Sequence, residues 1–131
     1  MPHPQSALPT PDHPAAHLLV VEDDLCIREE LADGLRDVGF EVETADDGVR
    51  ALALMHARRP DLLLLDLMMP NVSGWQLIER MQGHPRLSDV PIFVITAARY
   101  AVLQPLRYPI FVKPLRLERL FHTIRSFLRH E

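Results

Sequence analysis

Cysteine is nearly missing from this 131-residue chain, where Cys26 stands alone. One thiol cannot close an intramolecular disulfide, and a zinc site built from several cysteines is excluded. A single cysteine suits a reducing compartment. Long apolar runs are missing too. Runs such as Leu18–Val21 and Leu62–Leu65 are strand-sized, far short of the roughly 18 residues a membrane-spanning helix needs. The N-terminus lacks a basic region followed by an apolar stretch, so no secretory signal is expected and the expected location is the cytoplasm. Excess positive charge is absent: the formal net charge is −4, whereas nucleic-acid binders carry a strongly basic face. Neither a membrane nor nucleic acid is therefore an expected partner. No internal repeat occurs, no helix-turn-helix segment is visible, and no second domain is expected after Glu131.

What is present is an ordinary globular balance, 47% hydrophobic and 24% charged. The length suits one domain, which at this size buries roughly two thirds of its unfolded surface. Residues 1–16 (MPHPQSALPTPDHPAA) stand apart. Pro2, Pro4, Pro9, Pro11 and Pro14 remove backbone donors, and few apolar groups could anchor a regular element. This stretch is expected to be a flexible tail, with His3 and His13 solvated, and residues 17–131 to be the domain.

From His17 the texture alternates. Leu18–Val21 is continuously apolar, as a strand buried on both faces reads. Residues 25–38 place Ile27, Leu31, Leu35 and Val38 at helical spacing before Gly39, a good stop. Gly34 should weaken that helix by up to about 1 kcal/mol relative to alanine, and Cys26 on it is read as packing. Phe40–Thr44, Leu62–Leu65, Ile92–Ile95 and Ile110–Val112 read as further strands. Val49–Ala57, Trp75–Met81 and about Leu115–Arg129 read as helices. Strands alternating with helices imply an α/β fold with a parallel sheet covered on both faces.

In such sheets the functional crevice lies beyond the carboxyl ends of the strands. Strand one ends in Glu22-Asp23-Asp24, strand three in Asp66, strand four in Thr96 and strand five in Lys113. Taken singly, each has a plain structural reading: a cap or turn acid, a β-forming threonine, a solvated lysine. Together they bring several carboxylates, a hydroxyl and an ammonium to one edge. Clustered carboxylates repel unless a cation joins them, and hard oxygen ligands favour magnesium or calcium over zinc. A carboxylate, a divalent ion, a hydroxyl and a lysine suit phosphoryl transfer, in which positioning and charge neutralisation do most of the work.

The chain resembles the response-regulator receiver domains of two-component signalling over about residues 17–131. The resemblance rests on LLVVEDD (18–24), GFEVETADDGVRAL (39–52), PDLLLLDLMMPNVSGWQL (60–77), VPIFVITA (90–97) and FVKP (111–114). It implies a flavodoxin-like, doubly wound, five-stranded parallel sheet of order 2-1-3-4-5. It also implies that Asp66 accepts the phosphoryl group and that Glu22, Asp23, Asp66 and the backbone carbonyl of Met68 hold Mg2+. Thr96 matches the switch hydroxyl and Lys113 the phosphoryl-pairing lysine, with a cis peptide bond from Lys113 to Pro114. The donor would be a phosphohistidine on a sensor histidine kinase or a histidine phosphotransfer protein, and the output a change of affinity for a downstream protein. Such a domain is not an enzyme in the ordinary sense, since it catalyses only its own Mg2+-dependent phosphorylation and dephosphorylation.

The chain departs from the family pattern in three places. The interval between Thr96 and Lys113 is short and carries Pro105 and Pro109, so the fourth helix is expected to be shortened or irregular. Ile110 stands where many relatives carry an aromatic switch residue. Met68 and Ala98 occupy the two positions that tune hydrolysis in the family; both are apolar and cannot orient a water, which implies a long-lived phosphoryl state. Two other readings stay open. One is a degenerate receiver acting as a phosphorylation-independent protein-binding module. The other is a magnesium-dependent phosphatase with Asp66 as nucleophile, disfavoured because Met68 replaces the second acid such an enzyme wants.

Overall fold

The computed structural model describes residues 15–69, 72–97 and 108–129. Along the chain run β1 (His17–Val21), α1 (Leu25–Asp37), β2 (Glu41–Ala45), α2 (Gly48–Ala57), β3 (Leu62–Asp66), α3 (Gly74–Gln82), β4 (Ile92–Ala97), β5 (Ile110–Lys113) and α4 (Leu117–Arg129). The strands form one sheet in the order β2-β1-β3-β4-β5, and every neighbouring pair is parallel. This is the flavodoxin-like, doubly wound α/β arrangement expected from the sequence. The expectations for the shortened fourth helix between β4 and β5, for residues 1–14 and for Ala98 fall outside the described residues.

The continuous apolar strands are explained by two cores, one on each face of the sheet. Side chains alternate across a strand. Leu18, Val20, Leu62, Leu64, Phe93 and Ile95 pack on one face against Leu31 and Leu35 of α1 and Leu120 and Ile124 of α4. Their neighbours Leu19, Val21, Leu63, Leu65, Ile92 and Val94 pack on the other face with Ala51 and Met55 of α2 and Leu77, Ile78 and Met81 of α3. Each fully buried leucine contributes roughly 1.5–3 kcal/mol relative to an exposed one.

Local chemistry sets the boundaries. The α1 helix ends in a Schellman arrangement: Gly39 N–H donates to Arg36 C=O, Phe40 N–H donates to Leu35 C=O, and Gly39 has φ 106°. Phe40 is thereby committed to the helix cap, which is why β2 opens at Glu41 and not at the expected Phe40. Asp24 caps α1 through Ile27 N–H, and Asp47 caps α2 through Arg50 N–H. Ser73 and Gln76 form a reciprocal capping box that starts α3 at Gly74. At the other end of the molecule Ala16 C=O accepts a hydrogen bond from Glu41 N–H at 3.0 Å.

Two sequence readings change in three dimensions. Gly34 of α1 faces Phe121 of α4: a Cβ there would lie 2.5 Å from the Phe121 ring. Cys26 is exposed and does not serve as core packing.

Candidate functional site

Parallel register brings the carboxyl ends of the strands to one level. Val21 pairs with Leu65, Asp66 with Ile95, and Ala97 with Lys113. Glu22 and Asp23 follow β1 directly, and Glu22 N–H extends the ladder by donating to Ala45 C=O at 3.1 Å.

Glu22, Asp23 and Asp66 each direct a carboxylate oxygen into one cluster, with those atoms within 4.8 Å of one another. Glu22 is completely buried and Asp66 is 3% exposed. Asp23 forms the open side of the group. Lys113 reaches in from β5 and lies 2.8 Å from Glu22 Oε1 and 3.4 Å from Asp66 Oδ2. One ammonium against three carboxylates leaves excess negative charge of the kind that a hard divalent cation neutralises. The donor set fits magnesium or calcium.

Electrostatics records the crowding. Burial pushes the Glu22 carboxyl up to about 7, and the Asp66 carboxylate beside it acts in the same direction, while Lys113 and the Asp24 amide pull it back. For Lys113 burial acts to lower the pKa, yet its contacts with Glu22 and Asp66 outweigh that and hold it above the ordinary lysine value. The lysine thus stays charged, while the glutamate takes up a proton near neutral pH.

The remaining candidates sit around this cluster. Thr96 is fully buried, and its Oγ1 has no hydrogen-bond partner among the described residues. A buried hydroxyl without a partner is uncommon and costly. Met68 donates its N–H to Asp66 Oδ1 at 3.1 Å, while its side chain is exposed. Asp24 N–H donates to Glu22 Oε2 at 3.2 Å. The peptide bond from Lys113 to Pro114 is cis, as expected.

One residue at the site was not singled out in the sequence. Arg28, in α1, donates from Nη1 to Glu22 C=O at 3.0 Å and to Asp23 C=O at 3.3 Å. The signal was present in principle, as a cation near the start of a helix, where the dipole disfavours one.

Comparison with known proteins agrees with this geometry. Residues 18–125 match the response regulator receiver domain family. The response regulator MprA of Mycobacterium tuberculosis is 38% identical over 120 residues, covering 88% of this chain and 51% of that protein. The chain therefore spans about half the length of the curated relatives it matches. Among solved structures, a response regulator from Chloroflexus aurantiacus is 28% identical with a TM-score of 0.79, covering 88% of this chain and 98% of that one. The chemotaxis response regulator CheY4 of Vibrio cholerae is 29% identical with a TM-score of 0.76, covering 86% and 98%.

Proposed function

The chain belongs to the response-regulator receiver domains of two-component signalling, and from that premise we propose that Asp66 is its phosphoryl acceptor. The observation that carries this reading is the meeting of Glu22, Asp23 and Asp66 within 4.8 Å, with Lys113 held against two of them. An Asp66 carboxylate oxygen attacks the phosphorus of a phosphohistidine on a sensor histidine kinase or histidine phosphotransfer protein. The phosphorus–nitrogen bond breaks, the imidazole leaves with the electron pair and takes up a proton, and an aspartyl phosphate forms.

The three carboxylates, with the Met68 carbonyl, would hold Mg2+, which supplies charge neutralisation to the phosphoryl oxygens. Lys113 then exchanges part of its interaction with Asp66 for the incoming phosphoryl group. Thr96, whose hydroxyl has no partner among the described residues, donates to a phosphoryl oxygen and moves with it. The added charge of roughly −1.5 to −2 on the product drives both rearrangements and alters affinity for a downstream protein. Among the described residues no helix is long and apolar enough to cross a membrane, in keeping with a cytoplasmic signalling role.

Intact mass after incubation with Mg2+ and a small acyl-phosphate donor tests the proposal. The expected result is a gain of one phosphoryl group, absent from Asp66→Asn and blocked by chelator. A folded, Mg2+-binding protein that gains nothing would instead point to a phosphorylation-independent binding module.

A further inference from the structure

The acidic pair is carried on the short connection between β1 and α1, and its main chain is tied down from one side. Arg28 Nη1 bridges the carbonyls of Glu22 and Asp23, two successive peptide groups. Helical side chains lean toward the N-terminus, so a residue early in α1 reaches naturally to the loop before it. The position is otherwise unfavourable. A cation near a helix start opposes the dipole, and the first turn of α1 holds no acid to offset it. The two loop carbonyls supply that offset.

The choice of acceptor matters as much as the contact. Among the described residues Arg28 forms no ion pair with a carboxylate, whereas Lys113 pairs with both Glu22 and Asp66. Arg28 therefore grips the loop without occupying the carboxylate oxygens. The same loop is closed from within: Asp24 N–H donates to Glu22 Oε2, and Ile27 N–H donates to Asp24 Oδ1.

We infer that Arg28 is a positioning residue for the acidic pair, fixing the main chain of Glu22 and Asp23 so that their carboxylates are preset for a divalent cation. This rests on the cation-binding reading given above. Charge alone makes the opposite prediction. A guanidinium near a cation site repels the cation, so its removal by itself tightens binding. Positioning requires that removal weaken it. Groups that orient metal ligands from behind typically cost 10- to 100-fold in affinity when lost.

The experiment is an Mg2+ titration followed by the fluorescence of Trp75, the only tryptophan, on the parent, Arg28→Met and Arg28→Lys. It is paired with amide exchange at Asp24 in metal-free protein. Arg28→Met is expected to bind Mg2+ roughly tenfold more weakly and to exchange the Asp24 amide faster. Arg28→Lys, whose single ammonium can bridge the same carbonyls, is expected to recover most of the affinity. Unchanged or tighter binding by Arg28→Met overturns the inference. Should that variant not fold, Arg28→Gln, neutral and too short to reach, decides by the same criterion. A parent that binds no Mg2+ overturns the cation-binding reading instead. The exchange rate at Asp24 then still decides whether Arg28 holds the loop.

Discussion

At the scale of single residues, Glu22 carries the clearest pH signature. Burial raises its pKa in the fold from 4.5 to about 7, so folded protein binds more protons than unfolded protein between those values. The stability this group contributes is fully present below pH 4.5 and is lost as pH rises through about 7. The melting temperature of metal-free protein should therefore fall between pH 5 and pH 8 and be partly restored there by Mg2+. Glu22→Gln should flatten the profile; a parent profile already flat would contradict the assignment. The aspartyl phosphate is expected to outlast seconds, because exposed Met68 beside Asp66 offers no group to orient an attacking water. A decay series by intact mass checks this directly. The convergence of Glu22, Asp23, Asp66 and Lys113 was legible in the sequence because parallel strands must end on one level. Arg28 was not, because its partners are main-chain carbonyls, which leave no mark on the residue pattern.

At the scale of elements, sequence spacing identified every helix and strand among the described residues, and the errors lie at their ends. A cap residue such as Ser73 or Phe40 is decided by hydrogen bonds that hydrophobic periodicity does not encode. Ser73→Ala should cost about 1 kcal/mol by removing the cap on α3, read as a lowered denaturation midpoint. Gly34 illustrates the opposite limit. By propensity alone Gly34→Ala should stabilise α1 by up to about 1 kcal/mol. With a new Cβ 2.5 Å from the Phe121 ring, overpacking that typically costs about 1–3 kcal/mol should win. In a Phe121→Leu background the same change should become neutral or favourable. Equal effects in the two backgrounds would show that Phe121 moves aside freely. No reading of α1 in isolation could have found this, because the constraint comes from a helix far along the chain.

At the scale of the whole molecule, the sheet divides the interior into two separate cores, and the functional edge draws on strands that touch both. Removing residues 1–14 should leave the melting temperature unchanged, whereas removing Ala16 as well withdraws the acceptor of Glu41 N–H and should lower it. The two cores also bear on how the chain finds its register. Leu62–Leu65 are four identical side chains, all buried, and sliding β3 by one position would merely exchange leucines between the two faces. Shape alone gives the strand little to count by. Asp61 and Asp66 stand at either end of that run, one accepting from His17 N–H at 2.8 Å and the other facing Lys113. A slip in either direction would draw one of these carboxylates into apolar surroundings without its partner, at a cost of several kcal/mol. Beyond the phosphoryl-acceptor role proposed for it, Asp66 is thus one of two bookends that keep an otherwise uniform strand from being misread during folding.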